Sequence, residues 1–272
     1  MSGEIFQVWH CNDCELRFTQ EIPIEEEIGQ YYQSEEYISH SNTSKGIVNR
    51  LYQLVRDYTL IQKRKLVQHL AGSKTGKILD IGCGTGEFLG TMKQAGWNAL
   101  GLEPDPGARE QANKNFGLTV EPSDHLFAIS DSYDVISMWH VLEHVHQLHE
   151  NIDQIYSLLK EDGVLLIAVP NYQSLDAGYY QEFWAAYDVP RHLYHFSSKA
   201  MSSLMEAHQF QVSTIRKMPF DSFYVSLLSE KYKHGKLRLL AGFWIGLRSF
   251  LKAFRQADRC SSILYVIRKQ PS

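Results

Sequence analysis

Residues 78–88 read ILDIGCGTGEF, an apolar run that opens into three glycines at alternate positions, Gly82, Gly84 and Gly86. A turn from a strand into a helix needs one glycine for positive φ; three at this spacing let the backbone come close to a ligand. A dinucleotide loop reads G-x-G-x-x-G and cradles a pyrophosphate at a helix N-terminus. Here the pattern is G-x-G-x-G, with Asp80 just before it and Glu87 just after it. Carboxylates on both sides oppose a phosphate and suit a ligand that carries a cation.

Outward from the loop, strand-like and helix-like patterns alternate. KILDI (77–81) reads as a strand, 87–95 as a helix stopped by Gly96, WNALGLE (97–103) as a second strand, and the stretch from Pro106 to near Gly117 as a helix. LTVE (118–121) and YDVISMW (133–139) read as the third and fourth strands. A helix over 148–159 and a turn at Asp162-Gly163 lead to a fifth, VLLIAVP (164–170), and FQVSTIRKM (210–218) and SSILYVIRK (261–269) add a sixth and seventh. Such alternation builds βαβ units on a parallel sheet. Right-handed crossovers put the loops that follow the strands on one edge, where ligands bind. Residues 80–86, Glu103, residues 139–144 and Pro170-Asn171 all fall on that edge.

Glu103 ends the second strand about 20 residues past the loop, the spacing of a ribose-binding carboxylate, which can accept from both ribose hydroxyls. Ser123, Asp124 and His125 follow the third strand, where an adenine edge can be read, with Leu126 to cover the ring; alternatively SDH starts a helix. With Asp80 suited to the cationic amino group of a methionine moiety, the ligand is read as S-adenosylmethionine (SAM) and not as a nicotinamide dinucleotide.

DIGCGTG (80–86), GLEPD (101–105), YDVISMWHVLEHVHQ (133–147) and GVLLIAVPN (163–171) together resemble the class I SAM-dependent methyltransferases. DVPRHLYHFS (188–197) looks like a bacterial subgroup of mostly unassigned substrate, and the core is similar to ubiquinone-pathway O-methyltransferases. The resemblance covers about 77–217. It implies an α/β, Rossmann-like fold: a seven-stranded, mostly parallel sheet with helices on both faces, an N-terminal arm (1–45), a methyltransferase domain (46–272) and a helical insertion (220–258) before the last strand. It also implies SAM as cofactor, S-adenosylhomocysteine as product, and Asp80, Gly82, Gly84 and Glu103 as cofactor ligands. Cys83, Gly86, Pro104, Asp124 and Trp139 complete the expected cofactor set, and the segment after Trp139 should flank the transferred methyl group.

HVLEH (140–144) places His140, Glu143 and His144 at i, i+3 and i+4, one face of a helix. The bare pattern is also that of the inverted zincins, a reading its place at a strand end argues against. Three roles stay open: a base for the methyl acceptor (His144, His192 or His140), a divalent-ion site, or bracing of neighbouring loops. Some ubiquinone-pathway O-methyltransferases, which this segment resembles, carry acidic and histidine residues here, whereas this chain has His140 at the first position, so no metal is expected. An oxygen or protonated nitrogen nucleophile benefits from a base, and histidine titrates near neutrality.

Residues 172–196 carry eight tyrosines, phenylalanines and tryptophans around Asp188, Arg191, His192 and His195. They are expected to form either a lid that excludes water and shapes an acceptor pocket or a packed connection braced by Asp188 and Arg191. Glu143, Asn171, Trp184, Tyr187 and Arg191 are the candidate substrate residues. In the insertion, Leu239, Leu240, Phe243, Trp244, Leu247, Phe250, Leu251 and Phe254 form an apolar stripe at helical spacing among many lysines and arginines. Packing on the protein's own core or a twin subunit is expected, with peripheral membrane contact through 239–254 as the alternative.

The 272 residues carry a net charge of −4, which gives no global pull toward nucleic acid. Four cysteines form no secreted framework, and the N-terminus shows no signal core, so a cytoplasmic location is expected. Cys11-Asn-Asp-Cys14 is a single C-x-x-C and resembles half of a zinc ribbon; structural zinc commonly takes four ligands, so no zinc is expected. From 46 to 70 apolar residues recur at helical spacing. The reading is a methyltransferase acting on O or N of a small-molecule, sugar or lipid-like acceptor. A SAM-binding regulator or scaffold is the alternative, and a dehydrogenase ranks third.

Overall fold

The computed structural model describes residues 4–32, 47–72 and 75–271. Residues 33–45 of the expected arm, and the side chains of Val48, Leu51 and Leu54, lie outside the described residues. The strands are β1 (Val8–His10), β2 (Arg17–Thr19), β3 (Lys77–Ile81), β4 (Asn98–Leu102), β5 (Thr119–Glu121), β6 (Tyr133–Trp139), β7 (Leu159–Pro170), β8 (Tyr194–His195), β9 (Phe210–Lys217) and β10 (Ser262–Lys269). The helices are α1 (Glu25–Ile28), α2 (Ile47–Leu70), α3 (Glu87–Gln94), α4 (Pro106–Phe116), α5 (Leu148–Leu158), α6 (Leu175–Tyr180), α7 (Ser198–Ala207), α8 (Asp221–His234) and α9 (Leu239–Arg255).

Seven strands hydrogen-bond in the order β5-β4-β3-β6-β7-β10-β9. β3 runs parallel to β4 and β6, and β4 parallel to β5. β9 is antiparallel to β10, which makes the sheet mixed, as expected for a mostly parallel one. The order reverses between β3 and β6, the crevice where open α/β sheets bind ligands. The central strands are buried on both faces: Leu165, Leu166, Ile167, Ala168 and Val169 of β7 have no exposed surface, which is why that stretch reads as an unbroken apolar run. The turn expected at Asp162-Gly163 falls inside the bounds of β7. A Cβ on Gly163 would stand 2.9 Å from the Lys160 carbonyl oxygen, so the chain bends tightly there.

Local chemistry sets the boundaries of α4. Asp105 caps it through Ala108 N–H at 2.6 Å, Pro106 occupies its first turn, and Gly117 ends it at φ 62°. α2 is one unbroken helix. The start of the arm is a hairpin: β1 pairs antiparallel with β2, and β2 with β8, giving a three-stranded sheet.

By contacts the chain divides into two compact units. One holds residues 29–139 and 149–165, and the other holds the N-terminal residues through Ile28, residues 140–148 and everything from Leu166 onward. The first contains the glycine loop; the second contains His140, His144 and His192, the aromatic segment and the insertion.

In that second unit the aromatic segment is a packed connection. Tyr172, Tyr180, Trp184, Ala185 and Ala186 form one buried cluster with Val225 of α8 and Ile245 of α9. Trp184 Nε1 donates to buried Asp176 at 2.8 Å, and Asp176 also accepts from Ser249 and Ser261. Tyr172, Tyr180 and Trp184 thus pack on the surface that the insertion supplies, while Tyr179 is exposed. The apolar stripe of α9 meets the opposite fate: Leu239, Leu240, Phe243, Trp244, Leu251 and Phe254 are exposed and are not part of the protein's own core.

Candidate active site

Asp80 stands opposite Gly101 on β4 and Ser137 on β6. That register lets Ser137 Oγ donate to Asp80 Oδ1 at 2.6 Å in a fully buried pair. Burial pushes the Asp80 carboxyl up to about 7, against the pull of Ser137 and of Lys63. A buried carboxyl that gains from a nearby cation is suited to a ligand ammonium.

The three glycines do different work. Gly84 sits at φ 55°, and a Cβ there would meet nothing within 4 Å, so the backbone lies open to close approach. Gly86, at φ 83°, is fixed by packing: a Cβ would press to 2.8 Å from Ala112 Cβ and 2.7 Å from Leu118 Cδ1. The N–H groups of Gly82 and Cys83 both donate to the Leu102 carbonyl, at 2.7 and 3.0 Å, which ties the loop to the end of β4. The Cys83 side chain packs against Gly101, where a Cβ would come within 2.6 Å of Sγ. Burial pushes that thiol up.

Glu103, buried at the end of β4, accepts from Gly84 N–H at 2.9 Å and from Asp105 N–H at 3.0 Å. One backbone bond per oxygen fixes the carboxylate and leaves each oxygen a second lone pair for a diol. Burial raises its pKa, opposed by those two bonds. Trp139 ends β6 with its ring edge-on to Phe88 at 5.2 Å, and its indole N–H is buried without a hydrogen-bond partner among the described residues. Lys63 of α2 holds its ammonium 3.8 Å from the centre of that ring. Pro104 and Asp124 are exposed, and Asp124 lies in a 3-10 turn, Ser123–Ala128. Leu126, expected over an adenine, is instead in the core at 1% exposure; the exposed neighbour is Phe127.

This arrangement fits SAM on its own terms. The buried Asp80 can take the ammonium, the open backbone at Gly84 admits a close ligand, and the fixed carboxylate of Glu103 can take the ribose. Lys63 and Ser137 were missed from sequence. Ser137 was within reach, since laying strand 133–139 beside 77–81 puts it opposite Asp80; nothing local marks Lys63 among the other basic residues of its helix.

In the other unit, HVLEH is not a helical face. His140 adopts φ 58°, and only Leu142–His144 form a single 3-10 turn. The reversed backbone turns His140 between two carboxylates, Glu143 at 3.5 Å and Asp221 at 3.3 Å. Burial opposes its charge, but the two acids push it up to about 9. The two acids thus favour the charged imidazolium of His140, the form suited to bracing.

His144 and His192 lie edge to face with ring centres 4.5 Å apart. His144 Nδ1 bonds the Arg191 carbonyl and His192 Nδ1 the Ala186 carbonyl, each at 2.9 Å. A carbonyl only accepts, so Nδ1 carries a proton in both rings. Burial, helped by His192, pushes His144 down to about 4. Glu143 is buried beneath them with neither oxygen in a hydrogen bond among the described residues. Burial pushes its carboxyl up, but the His140 imidazolium holds it at about 2. Glu143, His144 and His192 each bring a ligand atom within 4.8 Å of the others, the only such group among the described residues. The trio expected from spacing thus exchanges His140 for His192, through Leu193 N–H bonding the Glu143 carbonyl at 2.7 Å. Two imidazoles and a carboxylate are a donor set that can hold a divalent ion.

The other substrate candidates are committed internally. Asn171 gives its amide N–H groups to the Asp258 and Cys260 carbonyls at 2.8 and 2.9 Å. Arg191 pairs with Asp188, and Tyr187 accepts from Arg17 at 2.7 Å. Cys11 and Cys14 are free thiols in the β1–β2 turn, and no cluster of three ligating groups among the described residues includes them.

A sequence profile described as a methyltransferase domain matches residues 53–215. The ubiquinone biosynthesis O-methyltransferase of Glaesserella parasuis is 35% identical over 107 residues, covering 35% of this chain and 45% of that protein. The chain thus spans about half the length of the curated relatives it matches. Among solved structures, the magnesium protoporphyrin IX methyltransferase of Synechocystis, with bound SAH, aligns at TM-score 0.57 and 14% identity over 88% of this chain and 97% of that one. The cyclopropane synthase MmaA2 of Mycobacterium tuberculosis aligns at TM-score 0.56 and 15% identity over 92% and 100%. At those identities the likeness is one of fold.

Proposed function

Because the chain belongs to the class I SAM-dependent methyltransferases, we propose that it transfers a methyl group from SAM to an oxygen or nitrogen of a small-molecule, sugar or lipid-like acceptor, with His144 as the proton acceptor. SAM supplies a methyl group already activated on a sulfonium, so the protein has to hold, align and exclude water. In this reading Asp80 receives the ammonium of the methionine moiety, Glu103 the ribose hydroxyls, and the backbone at Gly84 the close side of the ligand. The observation that carries the base assignment is the Nδ1 bond of His144 to the Arg191 carbonyl. It sets the Nδ1 proton on that carbonyl, and burial keeps the ring in its neutral, proton-accepting form down to about pH 4. His192 supports the ring by an edge-to-face contact. His140 and Glu143 form the charged floor below.

The test has two parts. Calorimetry should show SAM and S-adenosylhomocysteine binding and no NAD binding. An extract screen with SAM labelled on its methyl group then identifies the acceptor. On that acceptor, His144→Gln should lower turnover by a factor of about 10²–10⁴ with cofactor affinity unchanged. The acid limb of the wild-type rate profile should lie near 4 and not near 6.5. Normal turnover in His144→Gln, with a lowered melting temperature, would assign the ring to bracing.

A further inference from the structure

The helical hairpin of α8 and α9 presents a surface that the methyl-transfer reading does not use. α9 turns its small residues inward. Gly242, Gly246, Ser249 and Ala253 are buried, and a Cβ on Gly242 or Gly246 would stand 2.9 Å from the Cα of Leu227 or Phe223 of α8. Ser222 Oγ also reaches the Gly246 carbonyl at 3.0 Å. Ile245 is buried as well, and Phe243 and Phe250 reach Phe223 of α8, but the other large side chains of α9 are turned outward. At 100° per residue, Leu240, Trp244, Leu247 and Leu251 share one outward line, opposite Gly242 and Ser249. Leu240 is 79% exposed, Trp244 60% and Leu251 56%. Phe243 and Phe254 flank the line on one side and are also exposed. Arg248, Lys252 and Arg255 border it on the other, exposed as well. A helix with its apolar face outward is the reverse of the usual packing.

Charge decides what covers this face. Residues 231–259 contain eight lysines and arginines against one acid, Asp258, in a chain whose net charge is −4. Glu230, at the end of this stretch, is buried and holds Tyr180, His234 and Arg238. A second copy docked on the same face would set this basic rim against itself. A surface of negative charge with an apolar interior satisfies both halves, the rim and the stripe. No helix of the described residues is long and apolar enough to cross a membrane, so the contact would be one of lying flat, with Trp244 at headgroup depth.

We propose that the outer face of α9, rimmed by Arg248, Lys252 and Arg255, docks on the surface of an anionic phospholipid bilayer. The full chain should sediment with vesicles in which about a third of the lipid is phosphatidylglycerol, and not with pure phosphatidylcholine vesicles. Tryptophan emission should shift to the blue on binding, and the shift should be lost in Trp244→Phe. Raising the salt should release the protein, because about 1 M salt shortens the screening length to about 3 Å. The triple variant Arg248→Glu, Lys252→Glu, Arg255→Glu should bind at least about tenfold more weakly while keeping its melting temperature and its SAM affinity. Equal binding to both vesicle types, or no binding to either, overturns the proposal. So does a dimer in sedimentation velocity that Trp244→Ser disperses, which would assign the face to a second copy. The vesicle, fluorescence and salt measurements use the unaltered chain and decide the matter even if the triple variant folds poorly.

Discussion

The pKa values of Asp80 and His140 are both raised in the folded protein, so both contributions to stability fade as pH rises, in different windows. Asp80 is raised from 3.8 to about 7 in the folded protein. A raised carboxyl favours folding below its unfolded value and loses that contribution as pH rises toward 7. A bound cation should lower the Asp80 pKa, so affinity for S-adenosylhomocysteine should climb between pH 5.5 and about 7 with proton release, and Asp80→Asn should flatten the climb. Calorimetry in two buffers of different ionisation enthalpy reads both effects. In the same assay Glu103→Ala should cost about 1–3 kcal/mol of cofactor binding. His140 is raised from 6.5 to about 9 by Asp221 and Glu143. Its contribution is complete below 6.5 and fades as pH passes 9. His140→Gln leaves the Glu143 carboxylate without its counter-ion, on the order of 2 kcal/mol at pH 6.5, below the about 3–5 of a fully buried pair because the imidazole is partly exposed. Chemical denaturation at pH 6.5 and 9.5 should show the gap between variant and wild type narrowing at the higher pH; a gap that stays constant contradicts the ion-pair account.

At the scale of elements, the loop between β3 and α3 separates two reasons for glycine. Gly84→Ala takes a left-handed residue from glycine to alanine, a cost of about 1–2 kcal/mol, with no clash in the protein. Gly86→Ala adds a steric collision with α4 and with Leu118 to the same backbone cost. The first should therefore fold and bind cofactor poorly, whereas the second should lose several degrees of melting temperature. Circular dichroism melts and calorimetry on the pair distinguish the roles, and a Gly86→Ala protein as stable as wild type would show that α4 yields. The seam of α8 and α9 obeys the same steric logic, through Gly242 and Gly246.

At the scale of the whole molecule, cofactor binding should be coupled to folding, since a ligand that binds only the native state stabilises it. The melting temperature should rise with SAM concentration, by the equivalent of about 2.7 kcal/mol at a hundredfold excess over Kd, and should not move with NAD. A melting temperature indifferent to SAM at saturating calorimetric concentrations would contradict a site built by the fold. Much of that site could be read along the chain. The three glycines, Asp80 and Glu103 are local to a strand end, and strand–loop–helix patterning depends only on residue order and on side-chain period. For the same reason the sequence by itself determined the seven strands, the cofactor and the family. What only the tertiary structure decided are the pairings between residues far apart: Ser137 on Asp80 through strand register, Lys63 over Trp139, and Asp221 pulling His140 out of the histidine trio while His192 enters it. The same holds for the aromatic segment and α9. Periodicity shows that a helix has an apolar face but not which face its partner takes, and here the small residues won the inner position because they allow the two backbones to approach.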